Sequence, residues 1–215
     1  MFAFWRSSIG KKVVMAVTGI ILVGFVVGHL LGNLLIFRGP DAVNQYAALL
    51  RANMGILWAV RIGLLAAAVL HVVAAVQLTW LDRAARPVGY ARVRPQASTF
   101  ASRTIRWGGL VLALFVVFHL LHLTTGTLHP AFDHTDVYGN MIAGFSVWWV
   151  ALFYLVAMLA LGLHLYHGVW SVGRTLGVAP RADRPLKRRL ATVLAIVLWL
   201  GFSAIPVAVL AGMVR

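Results

Sequence analysis

Cysteine is absent from the 215 residues, glutamate is absent too, and the five acidic residues are all aspartate. Without thiols the chain offers no disulfide, no thiolate-held iron–sulfur cluster and no cysteine nucleophile. If it handles electrons, a bound cofactor must carry them. Charge is scarce as well. Charged residues make up 11% of the chain, against roughly 25% in a soluble domain. With 61% hydrophobic residues and a mean hydropathy of +0.89, this composition excludes a water-soluble fold.

What the chain has instead is long apolar runs. A stretch of about 20 residues crosses a bilayer at 1.5 Å rise per residue, and five windows bounded by charge, proline or polar clusters reach that length: 13–37, 56–80, 107–127, 146–170 and 190–213. The expectation is an all-α, single-domain integral membrane bundle of five transmembrane helices. The first run extends from Val13 to Phe37 with no small-residue cleavage pattern after it, so it reads as a retained helix rather than a signal peptide.

The formal net charge of +14 would suggest nucleic acid in a soluble protein, but the placement of the cations argues for lipid topology. Arg6, Lys11 and Lys12 precede the first span. Arg83, Arg86, Arg92, Arg94, Arg103 and Arg106 join the second to the third, and Arg174, Arg181, Arg184, Lys187, Arg188 and Arg189 join the fourth to the fifth. Fifteen of the 19 basic residues thus share one side, with Arg38, Arg51, Arg61 and Arg215 elsewhere. The positive-inside rule puts the N-terminus in the cytoplasm and the C-terminus outside. These cations fix topology and suit anionic lipid or a cytoplasmic partner. Arg38-Gly39-Pro40-Asp41 marks a turn after the first span, and Arg86-Pro87, Arg94-Pro95, Ala179-Pro180 and Arg184-Pro185 punctuate the basic connections.

Ionisable residues inside spans are costly and point to function. Six of the eight histidines, His29, His71, His119, His122, His164 and His167, fall inside the five windows, on four helices. Counted from the cytoplasmic charges, His29 is 17 residues from Lys12 and His119 is 13 from Arg106, or roughly 25 and 20 Å deep. His71 is 11 residues from Asp82 and His164 is 10 from Arg174, or roughly 15 to 17 Å. Two tiers of two result. Opposed imidazoles at matched depth are what six-coordinate haem iron needs, so two tiers suggest two haems. His119-Leu-Leu-His122 and His164-Leu-Tyr-His167 each set two rings about 60° apart on one helix face, and spacing alone does not choose the ligand within a pair. The same H-x-x-H spacing would suit a membrane non-haem di-iron oxidase, although that reading wants carboxylates and leaves His29 and His71 unused. Gly24, Gly28 and Gly32 beside His29, and Gly162 and Gly168 around His164, would admit a porphyrin or a neighbouring helix equally. In the outer loop, His129, Asp133, His134 and Asp136 have the look of a divalent-metal cluster, but an exposed polar loop is the plainer reading, and no metal is assigned there.

Several blocks resemble the five-helix, di-haem cytochrome b membrane anchor of succinate:quinone oxidoreductases. They are Met15–Gly19 leading to His29-Leu-Leu-Gly-Asn-Leu34, Phe37 through Tyr46, Tyr138 through Phe145, and Leu161 through Ser171 followed by Arg174-Thr-Leu-Gly177. The likeness runs in order along nearly the whole chain. It implies one haem ligand on each of the first four helices: His29 with His119 for the haem distal to the cytoplasm, His71 with His164 for the proximal one. It implies two b haems, a flavoprotein subunit and an iron–sulfur subunit docked on the cytoplasmic side, a bacterial cytoplasmic membrane and a place in the tricarboxylic acid cycle. No catalysis is expected from this chain alone, and the resemblance leaves room for a higher oligomer of the complex. Electrons would pass from the proximal to the distal haem and reduce a quinone, with menaquinone expected, near the outer side. Outward transfer would then draw on a negative-inside potential, about 2.3 kcal/mol per charge per 100 mV. Asn33, Asn44, Gln45 and Tyr46 would offer hydrogen bonds to that quinone, and Arg103, Arg106 and Arg174 cations to the proximal propionates. Fumarate-reducing relatives carry a glutamate near the proximal ligand of the fourth helix; the corresponding neighbourhood here is Gly162. Haem b anchors of hydrogenases and formate dehydrogenases share the same histidine logic with other partners.

Overall fold

The computed structural model describes residues 2–85, 88, 99–177 and 184–215. Arg86, Arg92, Arg94 and Arg181, with Pro87, Pro95 and Pro180, lie outside the described residues. Among the described residues the fold is all helix, without strands: α1 (Phe2–Arg6), α2 (Ser8–Asn33) continued by a 3-10 turn (Leu34–Arg38), α3 (Pro40–Arg51), α4 (Met54–Ala84), α5 (Phe100–Leu123), α6 (Val137–Ser146), α7 (Trp148–Thr175) and α8 (Arg184–Leu210). Five of these, α2, α4, α5, α7 and α8, are long and apolar enough to cross a membrane, with mean hydropathies of 1.9 to 2.5. The chain is thus a multi-pass helical protein of the membrane type.

The helices α2, α4 and α5 begin before their apolar windows because polar caps, not hydropathy, open them. Ser7 Oγ accepts from Gly10 N–H at 2.9 Å to open α2, Asn53 Oδ1 accepts from Ile56 N–H at 3.0 Å to open α4, and Thr99 and Ser102 cap α5 reciprocally. The helix α2 gives way to the 3-10 turn at Leu34, and two more helices stop sooner than their windows. The helix α5 ends at Leu123 rather than 127, just before Gly126 (φ +76°), and α8 ends at Leu210, two residues before Gly212 (φ +67°). The turn expected at Arg38–Asp41 is present: Gly39 takes φ +96° and Pro40 opens α3.

Neighbouring spans run antiparallel. His71 of α4 lies against Met15 and Thr18 near the start of α2, and Tyr154 near the start of α7 lies against His119 and His122 near the end of α5. The end of α4 meets the start of α5 through the Asp82–Arg106 ion pair at 3.0 Å. Trp170 of α7 takes the guanidinium groups of Arg174 and of Arg188 on α8 over its ring, at 5.1 and 4.9 Å. All described loop cations of the three basic groups therefore gather at one end of the bundle.

Packing is uneven. α2 packs along α4, α5 along α7, and α7 along α8, with α2 also touching α7 and α8. Apart from their ion-paired ends, α4 and α5 share no packed face among the described residues. The main core, with Ile36, Val43, Phe115, Met141, Phe145 and Met158, sits at the end away from the cations, where α3 and α6 close the bundle. Elsewhere the spans present large apolar side chains outward, such as Ile62, Leu65, Trp107, Leu114 and Val193, the surface that hydrocarbon rather than water accepts.

Candidate functional site

His29 and His119 face one another with ring centres 5.8 Å apart and planes at 83°, and His71 and His164 do the same at 6.2 Å and 60°. Each pair joins two helices, α2 to α5 and α4 to α7, so four helices supply one ring apiece. Within each H-x-x-H pair the first ring faces a histidine of another helix and the second lies elsewhere. His122 turns away from His29 and stacks on Phe118 (5.4 Å, 21°), with His129 at 4.9 Å. His167 lies beside Trp170 at 6.3 Å.

The two pairs stand at two levels. His71 is level with Thr18, 11 residues before His29 on α2, and His164 is 10 residues beyond Tyr154, which touches His119. Both counts put the levels about 15 Å apart along the axis. The His71/His164 level is the one nearer the cationic end.

Hydrogen bonds determine how one ring presents itself. His71 Nδ1 lies 3.0 Å from Met15 O, an atom that only accepts, so Nδ1 carries the hydrogen and donates. Thr18 Oγ1 gives its own hydrogen to Val14 O at 2.7 Å and faces the same Nδ1 at 3.2 Å with a lone pair. The neutral ring of His71 is left with a bare Nε2, the form that binds metal. His119 Nδ1 meets Tyr154 Oη at 3.2 Å. The ring of His29 makes no hydrogen bond among the described residues, and His164 Nδ1 is buried without a partner. The four facing rings are all half-buried, whereas His122 is 0% exposed. The protein thus covers His122 more completely than any of the four facing histidines.

Whether a haem suits these residues follows from distance. Two imidazoles bound to opposite faces of one haem iron, with metal–nitrogen bonds of roughly 2 Å, have ring centres about 6 Å apart. The observed 5.8 and 6.2 Å fit that requirement. A Cβ added at Gly24, Gly28, Gly108 or Gly168 would meet nothing within 4 Å, while one at Gly32 would lie 2.5 Å from Tyr46 Cε1 and one at Gly162 would lie 3.3 Å from Trp199 Cβ. The glycine stripe therefore divides: Gly32 and Gly162 serve packing, and Gly24, Gly28 and Gly168 face open space. An apolar cleft of about 210 Å³ between α5 and α7, walled by Ile105, Gly108, Leu159 and Leu163, reaches His164. Compared with family models, curated proteins and solved structures, the chain matches none.

The remaining sequence candidates have other employment. Asn44 donates from Nδ2 to Asp136 Oδ1 at 2.9 Å and accepts at Oδ1 from Tyr138 N–H at 3.1 Å, and Asn33 Nδ2 donates to the His29 carbonyl at 2.6 Å. Both hold structure. Gln45 is exposed, and Tyr46 lies against Gly32. Arg106 is engaged by Asp82 and Arg174 by Trp170, and Arg103 is exposed at the same end. Among the described residues no three His or Asp side chains cluster to hold a metal ion, so the di-iron alternative finds no ligand set there. Three of the outer-loop quartet are hydrogen-bonded scaffolding, and His134 lies edge-on to Phe132 at 5.0 Å. His129 Nε2 donates to Asn140 O (2.8 Å) and its Nδ1 accepts from Ala131 N–H (3.1 Å). Asp136 caps α6 at Gly139 N–H. Asp133 accepts from the Thr135 amide and hydroxyl, both at 2.7 Å, and those bonds hold its carboxyl below the ordinary carboxylate range.

Sequence reasoning missed Tyr154. It sits ten residues before His164 on an apolar helix, and nothing in its neighbourhood marks it as polar machinery until α5 is laid beside α7.

Proposed function

We propose that this chain is the haem b membrane anchor of a succinate:quinone oxidoreductase, set in a bacterial cytoplasmic membrane with its cationic end facing the cytoplasm. The observation that carries the reading is the pair of opposed imidazole couples on four helices, at two levels about 15 Å apart. The resemblance of the histidine blocks to that family supports it independently. Two b haems, when bound between His29 and His119 and between His71 and His164, would supply one-electron redox centres inside the membrane.

The residues of this chain do the holding and steering. His71 keeps its ring fixed through Met15 O and Thr18 Oγ1. The gathered cations, by the positive-inside rule, keep their end in the cytoplasm and offer an electropositive face to an iron–sulfur subunit. Arg103, exposed at that end, would meet propionates or the partner. With Asn33 and Asn44 committed to structure, Gln45 and Tyr46 are the two of the four quinone candidates that would remain to meet a quinone.

The test is purification of the chain with its native partners. A co-purifying flavoprotein and iron–sulfur protein, and reduction of the b-type absorption by succinate, are expected. A molybdenum or nickel enzyme in their place would reassign the anchor to a formate dehydrogenase or hydrogenase. A colourless complex would defeat the reading.

A further inference from the structure

Tyr154 Oη lies 3.2 Å from His119 Nδ1 and 3.0 Å from His122 Nδ1. A phenol has one hydrogen to give. Of the two rings, then, at most one accepts from it, and the other donates to its oxygen. We infer that Tyr154 and His122 are positioning residues that set His119 with its hydrogen on Nδ1 and a bare Nε2 turned toward His29, an inference that rests on the haem reading above.

The directions follow one after another. A ring that binds metal through Nε2 holds its hydrogen on Nδ1, so His119 Nδ1–H donates to Tyr154 Oη. The hydrogen of Tyr154 then goes to His122 Nδ1, and the one hydrogen of neutral His122 is left on Nε2. That Nε2 is buried without any hydrogen-bond partner, in a side chain with 0% exposure. The orphan marks the end of a directed chain that starts at His119. His122 is confined where it is: its ring stacks on Phe118, and a Cβ at Gly144 would lie 2.6 Å from its Cε1 and 2.8 Å from its Nε2. Position 144 has room for glycine alone because His122 occupies the space.

An oxygen that gives its own hydrogen away accepts more strongly. Tyr154, polarised by His122, therefore draws on the Nδ1–H of His119 and makes that ring a stronger donor through Nε2, which favours the oxidised metal. In the other tier the same post is filled by a backbone carbonyl, Met15 O, with Thr18 beside it. The two haem sites therefore differ in how they are tuned, and only one of them depends on a tyrosine.

The experiment is a potentiometric titration of the purified complex, followed by the reduced-minus-oxidised spectrum, with haem counted per chain. In Tyr154→Phe, two haems are retained, the midpoint potential of one rises and that of the other stays. In His122→Leu, the same potential moves the same way by less. Two retained haems with both potentials unmoved in Tyr154→Phe overturns the inference. If Tyr154→Phe loses a haem, His122→Leu decides: a shifted potential supports the inference and an unshifted pair overturns it. Fewer than two haems in the unaltered complex would instead defeat the haem reading on which this rests.

Discussion

A neutral imidazole has one bare nitrogen, and which one it is decides whether a histidine can hold a metal. In this chain the answer for His71 comes from Met15 O and Thr18, residues that no inspection of the His71 helix would nominate. The six histidines of the spans were visible in the sequence, and so was their sorting by depth. The choice of His119 over His122 and His164 over His167 was not legible from spacing, and only the family resemblance implied it. Three residues along a helix leave two rings only about 60° apart, so both face inward, and the neighbouring helix makes the selection. Replacing His71 by Leu removes one ring of the couple nearer the cations, and the expected outcome is loss of one of two b haems. Replacing His167, which faces Trp170 instead of another histidine, should leave both. Haem per chain, together with the low-spin iron signals in electron paramagnetic resonance, checks the contrast.

At the scale of helices, hydropathy located the five spans but not their ends, because the ends are set by Ser7, Asn53 and Thr99 caps and by glycines in the left-handed region. Two shorter helices were not foreseen. The helix α3 is amphipathic and only 12 residues long, and α6 runs almost directly into α7, parted from it at Val147, so the window that begins at 146 takes in only its last residue. Both help close the main core, and α6 lies against His122 at Gly144. The approach of α2 to α8 depends on Gly201, where a Cβ would lie 2.8 Å from Leu30 Cδ2. Gly201→Leu should overpack this contact, costing about 1–3 kcal/mol. Because Leu30 adjoins His29, it should weaken the His29/His119 site before the other. Gly63→Ala on α4, with nothing within 4 Å of the new carbon, is the control expected to leave haem content unchanged without lowering stability. Thermal unfolding and the haem count distinguish the two variants.

For the whole molecule, the uneven placement of charge distinguishes the two histidine couples. The described basic residues around the connections collect at one end, the His71/His164 couple lies nearer that end, and His29/His119 lies nearer the other. The alternating direction of the spans was legible from the charges, since cations separated by an even number of crossings must share a side. What the sequence could not carry was the pairing of helices: α2 with α4, α5 with α7, and α4 left unpacked against α5. That arrangement is what brings the rings to 5.8 and 6.2 Å. Purified protein, converted to its pyridine haemochrome and measured against chain concentration, tests the central claim directly. The account predicts two b haems per chain; a ratio of one, or a protein without haem, would contradict it.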